Sequence, residues 1–277
     1  MIGLGPSRLG AALAVAALAC GVGARGAAAA ESRFEAHYSA YLAILPVTFA
    51  SGSVTATFDR PGHYVIDLAA SGIGFGLTAK STGRIADKVA PATAAIDTRA
   101  VGEGTQTIRM AMSGGAVSFD QVRPPLPPLP RVPLTDADRR NVLDPISALL
   151  IPSERGGLSP SMCNRTLPIF EGTERFDIVL SYLRTEQVRS AEGYRGPVLV
   201  CRARYRAVAG HRPGARQVQY MEHNDTIEAW LAPVRGAHLL VPWRISVGTL
   251  VGTMVIKADR FGLTNVEDPS RRTAVAN

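Results

Sequence analysis

The chain has little charge, 19% of its 277 residues, and it shows no internal period. With 46% hydrophobic residues, those two lacks exclude collagen, coiled coil and wholesale disorder. It also lacks HExxH, GxSxG, a P-loop and CxxC, the short motifs whose spacing carries metal, acyl-transfer, phosphate and redox chemistry. Gly72-Ile73-Gly74-Phe75-Gly76 imitates a nucleotide loop only superficially. The final glycine spacing is missing and no strand–helix unit follows, so it reads as a closely packed or mobile turn. The histidines, His37, His63, His211, His223 and His238, show no helical ligand spacing, and His223-Asn224-Asp225 reads as a turn. Glu171, Glu174 and Asp177 gather around Gly172 and could form an acid–base pair. Acids in such a setting more commonly neutralise neighbours such as Arg175 or shape a turn. The expectation is a protein that is not an enzyme, with no catalytic residue, no metal and no cofactor.

Acidic residues are missing altogether before Glu31. Arg8 and the amino terminus give a positive start, Leu9 to Val22 form a short apolar run, and Ala28-Ala29-Ala30 supplies small residues for cleavage. This is the pattern of a secretory signal over residues 1–30, cleaved after Ala30. The apolar run is too short and too rich in Ala and Gly for a retained span. Ala17-Leu18-Ala19-Cys20 loosely matches a lipoprotein box, but Ala rather than Leu stands three residues before the cysteine, so anchoring at Cys20 is not expected. No later stretch reaches around eighteen uninterrupted apolar residues, so the mature chain is expected to be soluble and periplasmic. Loss of Arg8 and Arg25 with the leader lowers the formal charge from +7 to +5. The densest basic patch, Arg202, Arg204, Arg206, Arg212 and Arg216, reads as a solvated face, and no nucleic-acid partner is expected for an exported protein.

Only Cys163 and Cys201 outlast cleavage, and neither has a histidine within a few residues. An oxidising compartment favours pairing them. Closing such a loop stabilises a fold by about 4 kcal/mol on the chain-entropy argument.

What the chain does have is alternation. Phe34, Ala36, Tyr38, Ala40 and Leu42 alternate with Glu35, His37, Ser39 and Tyr41. Val54, Ala56 and Phe58, then Tyr64, Ile66 and Leu68, repeat the habit around Asp59-Arg60-Pro61-Gly62, a hairpin turn by its residues. Ser113-Gly114-Gly115 predicts a second hairpin between 105–112 and 116–121. In the second half Phe176, Ile178, Leu180 and Tyr182 share a face, as do Leu199, Cys201, Ala203 and Tyr205. Ile227, Ala229 and Leu231 form another stripe, then Leu239, Val241, Trp243, Ile245 and Val247, then Met254, Ile256 and Ala258. The 27 Gly and 19 Pro suit a turn-rich β protein. At least eight strands with one apolar face each predict an all-β, mainly antiparallel fold: a curled sheet, half-barrel or open barrel with one or two short helices.

The proline-rich run Arg123 to Pro130, continuing to 133, cannot pair in a ladder and reads as a stiff surface loop between two halves of one domain, 31–263. Asp144-Pro145 is an N-cap and N1 pair for a short helix through Leu150. A polar tail, 264–277, is expected to fray. Phe75 and Leu77, flanked by glycines and small polar residues, read as an apolar flap over the mouth of a greasy cavity.

Several of these pieces resemble one family. Asp144-Pro145-Ile146-Ser147-Ala148-Leu149, Cys163 with Ile169-Phe170-Glu171-Gly172, Arg175-Phe176-Asp177, Tyr205 to Gly210, and Pro242 with the strand at Gly252 occur in its order. The chain over roughly 33–261 resembles the exported bacterial proteins grouped as domain of unknown function 3108. Where this chain has Glu171 the family usually has Asp. The resemblance implies a secreted or periplasmic antiparallel β protein, with a shape similar to the curled half-barrels of lipoprotein carriers, and it implies no chemistry. The leading expectation is a periplasmic protein that binds or carries an apolar or amphipathic ligand, lipid included. The alternative is an envelope scaffold acting through a protein partner.

Overall fold

The computed structural model describes residues 32–58, 62–85, 90–102, 104–153, 158–189, 193–234 and 236–265. The expected leader with Ala30 and Cys20, the expected turn residues Asp59 to Pro61 and everything after Asn265 lie outside the described residues.

Alternation becomes strand throughout. The first half runs β1 (Ser32–Leu42), β2 (Leu45–Phe58), β3 (His63–Gly72), β4 (Phe75–Arg84), β5 (Ala92–Val101), β6 (Gly104–Ser113) and β7 (Ala116–Arg123). After a long connection come β8 (Ile151–Pro152), β9 (Arg165–Phe170), β10 (Arg175–Arg189) and β11 (Arg195–Ala209). Helix α1 (Arg216–His223) precedes β12 (Ile227–Val234), β13 (Leu239–Thr249) and β14 (Gly252–Asn265). The strands form one antiparallel sheet in the order β7-β6-β5-β4-β3-β2-β1-β14-β13-β12-β11-β10-β9, with β8 added against β13. The first and last strands therefore meet at its middle, Ser32 opposite Asn265. Strand β14 is described through Asn265; the rest of the expected tail lies outside the described residues.

The sheet curls without closing, leaving β7 and β9 as its edges. The connection fills the gap. Val142 N–H donates to the Gly115 carbonyl at 2.9 Å, Leu143 N–H to Pro168 at 2.8 Å, and Phe170 N–H back to Leu143 at 2.9 Å. Phe170, Ile108, Met110, Met112 and Val142 pack together across the seam. Gly172 has φ +91°, and a side chain there would collide with Ile108, so close approach of the two halves requires glycine.

Two larger cores follow. One lies inside the curl, where Phe34, Val54, Tyr64 and Ile66 meet Val198, Val200, Trp230, Val241, Trp243 and Phe261. The other lies between β9–β13 and the connection, and contains Leu143, Ile151, Met162, Leu167, Leu199, Leu231 and Leu240. Strands β11–β13 are thus covered on both faces, which corrects the expectation of one apolar face per strand. Consecutive residues Val198 to Cys201 are all buried because the connection provides the second cover.

Cys163 and Cys201 stand at disulfide-bonding distance, Sγ to Sγ 2.01 Å and Cα to Cα 5.5 Å, tying the connection to β11. The helix expected through Leu150 is a single 3-10 turn, Ser147–Leu149. The turn is entered from Ile146, two residues beyond the expected N-cap, but Asp144 still serves its start: its carboxylate accepts from Ile146 N–H at 3.0 Å and Ser147 N–H at 3.2 Å. It also accepts from Ser81 Oγ of β4 at 3.0 Å, which fastens the connection to the first half. The expected turn at 223–225 is the end of α1, whose next residue, Asn224, accepts from Thr226 N–H at 3.1 Å and donates to the Gly248 carbonyl at 2.9 Å.

Candidate functional site

Strand register shows how the site arises. The inward residues of β1–β4 form rungs: Phe34–Ala56–Ile66–Ser81, then Ala36–Val54–Leu68–Ala79, then Tyr38–Gly52–Ala70–Leu77, then Ala40–Ala50–Gly72–Phe75. The first rungs carry large side chains that reach the opposite wall. The last two are mostly alanine and glycine and cannot fill the curl. They leave a cavity of about 300 Å3. Small size has a second cause at Gly52, where an added Cβ would lie 2.9 Å from the Ala69 carbonyl of the neighbouring strand.

The cavity wall is apolar. Ala40, Ala50, Val54, Leu68, Ala70, Phe75 and Leu77 come from the first half, and Val241, Pro242, Ile245 and Ile256 from β13 and β14. Leu149 of the connection adds to the lining, as do Ser51 and Ser53, and among the described residues none with a formal charge contributes to it. The one polar ring, Tyr38, donates its hydroxyl to the Pro242 carbonyl at 2.7 Å. Burial pushes that phenol well above its ordinary pKa, so it is a neutral donor at any physiological pH. A lining of this kind is complementary to an apolar body.

On the opposite face of the same strands lies a wide polar trough of about 660 Å3. His37, Ser39, Ser53, Thr78, Thr98 and Asp259 line it, and Ser39 Oγ donates to the Asp259 carboxylate. Asp259 is left without a strand partner by a bulge, because His37 pairs Arg260 and Tyr38 pairs Ala258. Tyr38, Gly52, Ala70 and Leu77 border both spaces, so a single thin sheet separates them.

Phe75 and Leu77 do line the cavity, but not as a flap. Both belong to β4 and are paired on each side, Phe75 with Gly72 and Val101, Leu77 with Ala70 and Arg99. They are wall, and Phe75, 40% exposed, stands where the wall meets solvent.

The acids around Gly172 take the neutralising course. Glu171 pairs with Arg99 at 2.6 Å, and Asp177 with Arg175 at 2.7 Å and Arg206 at 2.6 Å. Burial opposes ionisation of Asp177, but hydrogen bonds from Arg206 and Arg175 outweigh it and hold the carboxyl below the usual range. Glu174 is pushed the other way by burial and by Glu171, with Arg131 3.8 Å away. Tyr205 beside them is raised to about 12, first by burial and then by Glu174. Among the described residues no three His, Cys, Asp or Glu side chains stand together as metal ligands. Of the basic patch, Arg202, Arg204 and Arg206 alternate along β11 toward solvent.

Sequence reasoning found one side of the cavity and missed the other. The far wall, Val241 to Ile256, lies some two hundred residues away in the chain, and only the pairing of β1 with β14 brings it over. A usable signal was present: inward positions shrink from Phe34 and Ile66 to Ala40, Ala50, Gly52 and Ala70 toward one end of the sheet.

Comparison with solved structures gives "Crystal Structure of Beta-barrel-like Protein of Domain of Unknown Function DUF1849 from Brucella abortus", 8% identical, with TM-score 0.45. The alignment covers 86% of this chain and 99% of that one. No curated protein matches the chain. The family described as "Protein of unknown function (DUF3108)" matches residues 33–259, the whole of the sheet apart from the ends of β1 and β14, and the chain belongs to that family.

Proposed function

We propose that this protein is exported to the periplasm and there binds or carries an apolar or amphipathic molecule, holding its apolar part in the cavity between β1–β4 and β13–β14. The observation that carries the reading is the lining: about 300 Å3 walled mainly by aliphatic and aromatic groups, with two serines and no charged side chain. That volume lies at the small end of the roughly 300–1,000 Å3 typical of ligand pockets, which suits one acyl-like chain rather than a bulky lipid. The apolar leader with small residues at 28–30 supports export. Native mass spectrometry of the mature protein, produced with its leader and purified without detergent, tests it. A discrete adduct that leaves as lipid on heating is the expected result; a bare chain that also fails to bind any acyl probe counts against the reading.

A second reading is a scaffold that pairs a partner's strand along β7. That strand has no further strand beside it among the described residues, and it presents Phe119 half exposed. Recovery of one stoichiometric envelope protein, lost when β7 carries Val117→Pro, would favour it.

A further inference from the structure

Exposed apolar residues are not scattered over this molecule. Eight of the twelve large hydrophobic side chains that stand exposed among the described residues sit on four hairpins at one end of the sheet. The β1–β2 turn carries Ile44, Leu45 and Val47; β3–β4 carries Ile73 and Phe75; β5–β6 carries Val101; and β13–β14 carries Leu250 and Val251. These hairpins are neighbours in the sheet, in the order β5/β6, β3/β4, β1/β2 and β14/β13. Register puts their turns at a common end, since Gly72, Ala50, Ala40 and Ile256 lie level, one rung short of the tips or a little more. The β1–β2 turn and the start of β14 are joined directly: Ala43 N–H donates to the Thr253 carbonyl at 2.8 Å.

The tips stand clear of the body. Ile44 is 77% exposed, Ile73 87% and Leu250 90%. Core packing explains none of them, and turn chemistry would favour polar residues at each. Three of the four turns carry no ionisable residue; the sequence of the fourth has Glu103, two residues after Val101. A concentration of this kind marks an interaction surface.

We propose that this row of hairpin tips inserts into the surface of a phospholipid membrane. Two features favour lipid over a protein partner. Three neighbouring turns present apolar side chains with no ionisable group among them, which suits a fluid apolar interior and leaves out the polar rim that a protein interface carries. The row is also continuous with the mouth of the apolar cavity through Phe75, which belongs to both. Docked this way, the cavity opens toward the acyl region without crossing water. The driving force is burial of side chains, so salt leaves it in place. The inference rests on the exposed tips and stands whether or not the cavity proves to hold a ligand.

Flotation of the mature protein with phosphatidylcholine vesicles, at low and high salt, tests it. The wild type is expected to float with neutral vesicles at both salt concentrations. Ile73→Ser with Leu250→Ser, both at turn positions outside the cavity wall, is expected to lower partitioning by about tenfold for each side chain removed. The same variant is expected to keep its unfolding midpoint and its affinity for an acyl probe in solution. Ala50→Phe, which fills the cavity, should do the reverse: lose the probe and keep the vesicles. Failure of the wild type to float overturns the proposal, as does flotation only with anionic vesicles at low salt. Equal flotation of the tip variant overturns it too. A wild type that instead dimerises through the tips, with the variant monomeric, assigns the row to protein contact and equally overturns it.

Discussion

The two halves of the sheet are built from the same alternating strands and end up in different situations. In β1–β4 one face meets the interior and the other is largely polar, with Glu35, His37, Asp67 and Lys80 among its Ser and Thr residues. In β11–β13 both faces are covered, one by the curl and one by the connection that Cys163 and Asp144 hold down. The second half is therefore a filled, three-layered frame, and the first half is a single-layered wall with room behind it. Space and small side chains fall along the half with only one cover, together with three of the four exposed hairpin tips; β13–β14 supplies the fourth tip and the far cavity wall. Stability should reside in the other half.

The largest effect should come from breaking the frame. Cys163→Ser with Cys201→Ser is expected to cost about 4 kcal/mol in urea unfolding. In hydrogen exchange the loss of protection should centre on β9–β13 and spare β2–β4; uniform loss would show that the halves are not separable. Next is the rivet between them. Asp144→Ala leaves the Ile146 and Ser147 N–H groups and Ser81 Oγ without their acceptor, at about 2–4 kcal/mol. Burial raises the Asp144 carboxyl against the opposing pull of its hydrogen bonds. A carboxyl whose folded pKa exceeds its unfolded value holds its proton more tightly when folded. It therefore favours the fold most below the unfolded pKa, and that advantage is lost as pH rises through the folded pKa. Unfolding curves across that range should show the loss in the wild type and a flatter profile in Asp144→Asn, which still offers an acceptor; parallel profiles would contradict it. The smallest effect belongs to the wall. Each methylene added to an alkyl probe should tighten binding by about 0.8 kcal/mol, close to fourfold, until the chain outgrows the cavity. Isothermal titration with an alkyl series reads both the slope and the break.

Much of this was legible in the residues, unevenly and for physical reasons. Alternation from Phe34 to Leu42 and from Tyr64 to Leu68 gave strands and their inward faces, because a half-covered sheet sorts apolar from polar at period two. Gly114 and Gly115 marked their hairpin, both with positive φ. Asp144-Pro145 marked a cap. The double burial of Val198 to Cys201 was not legible as such, since what covers the second face is a connection distant in sequence. Helix α1 was hidden for a related reason: Arg216 to His223 buries no residue, so no apolar stripe announces it. The cavity was half visible. Phe75 and Leu77 stood out against their glycines, while Ala40, Ala50 and Gly52 looked like ordinary small residues until register stacked them into one empty corner.

The account turns on whether that corner takes up an apolar chain. Titration of the folded mature protein with a fluorescent dodecyl probe, beside Ala50→Phe, tests this most directly. One saturable site in the wild type, weakened about tenfold or more in a variant of unchanged unfolding midpoint, is the predicted result. Absence of saturable binding in the wild type, or equal affinity in the filled variant, would contradict it.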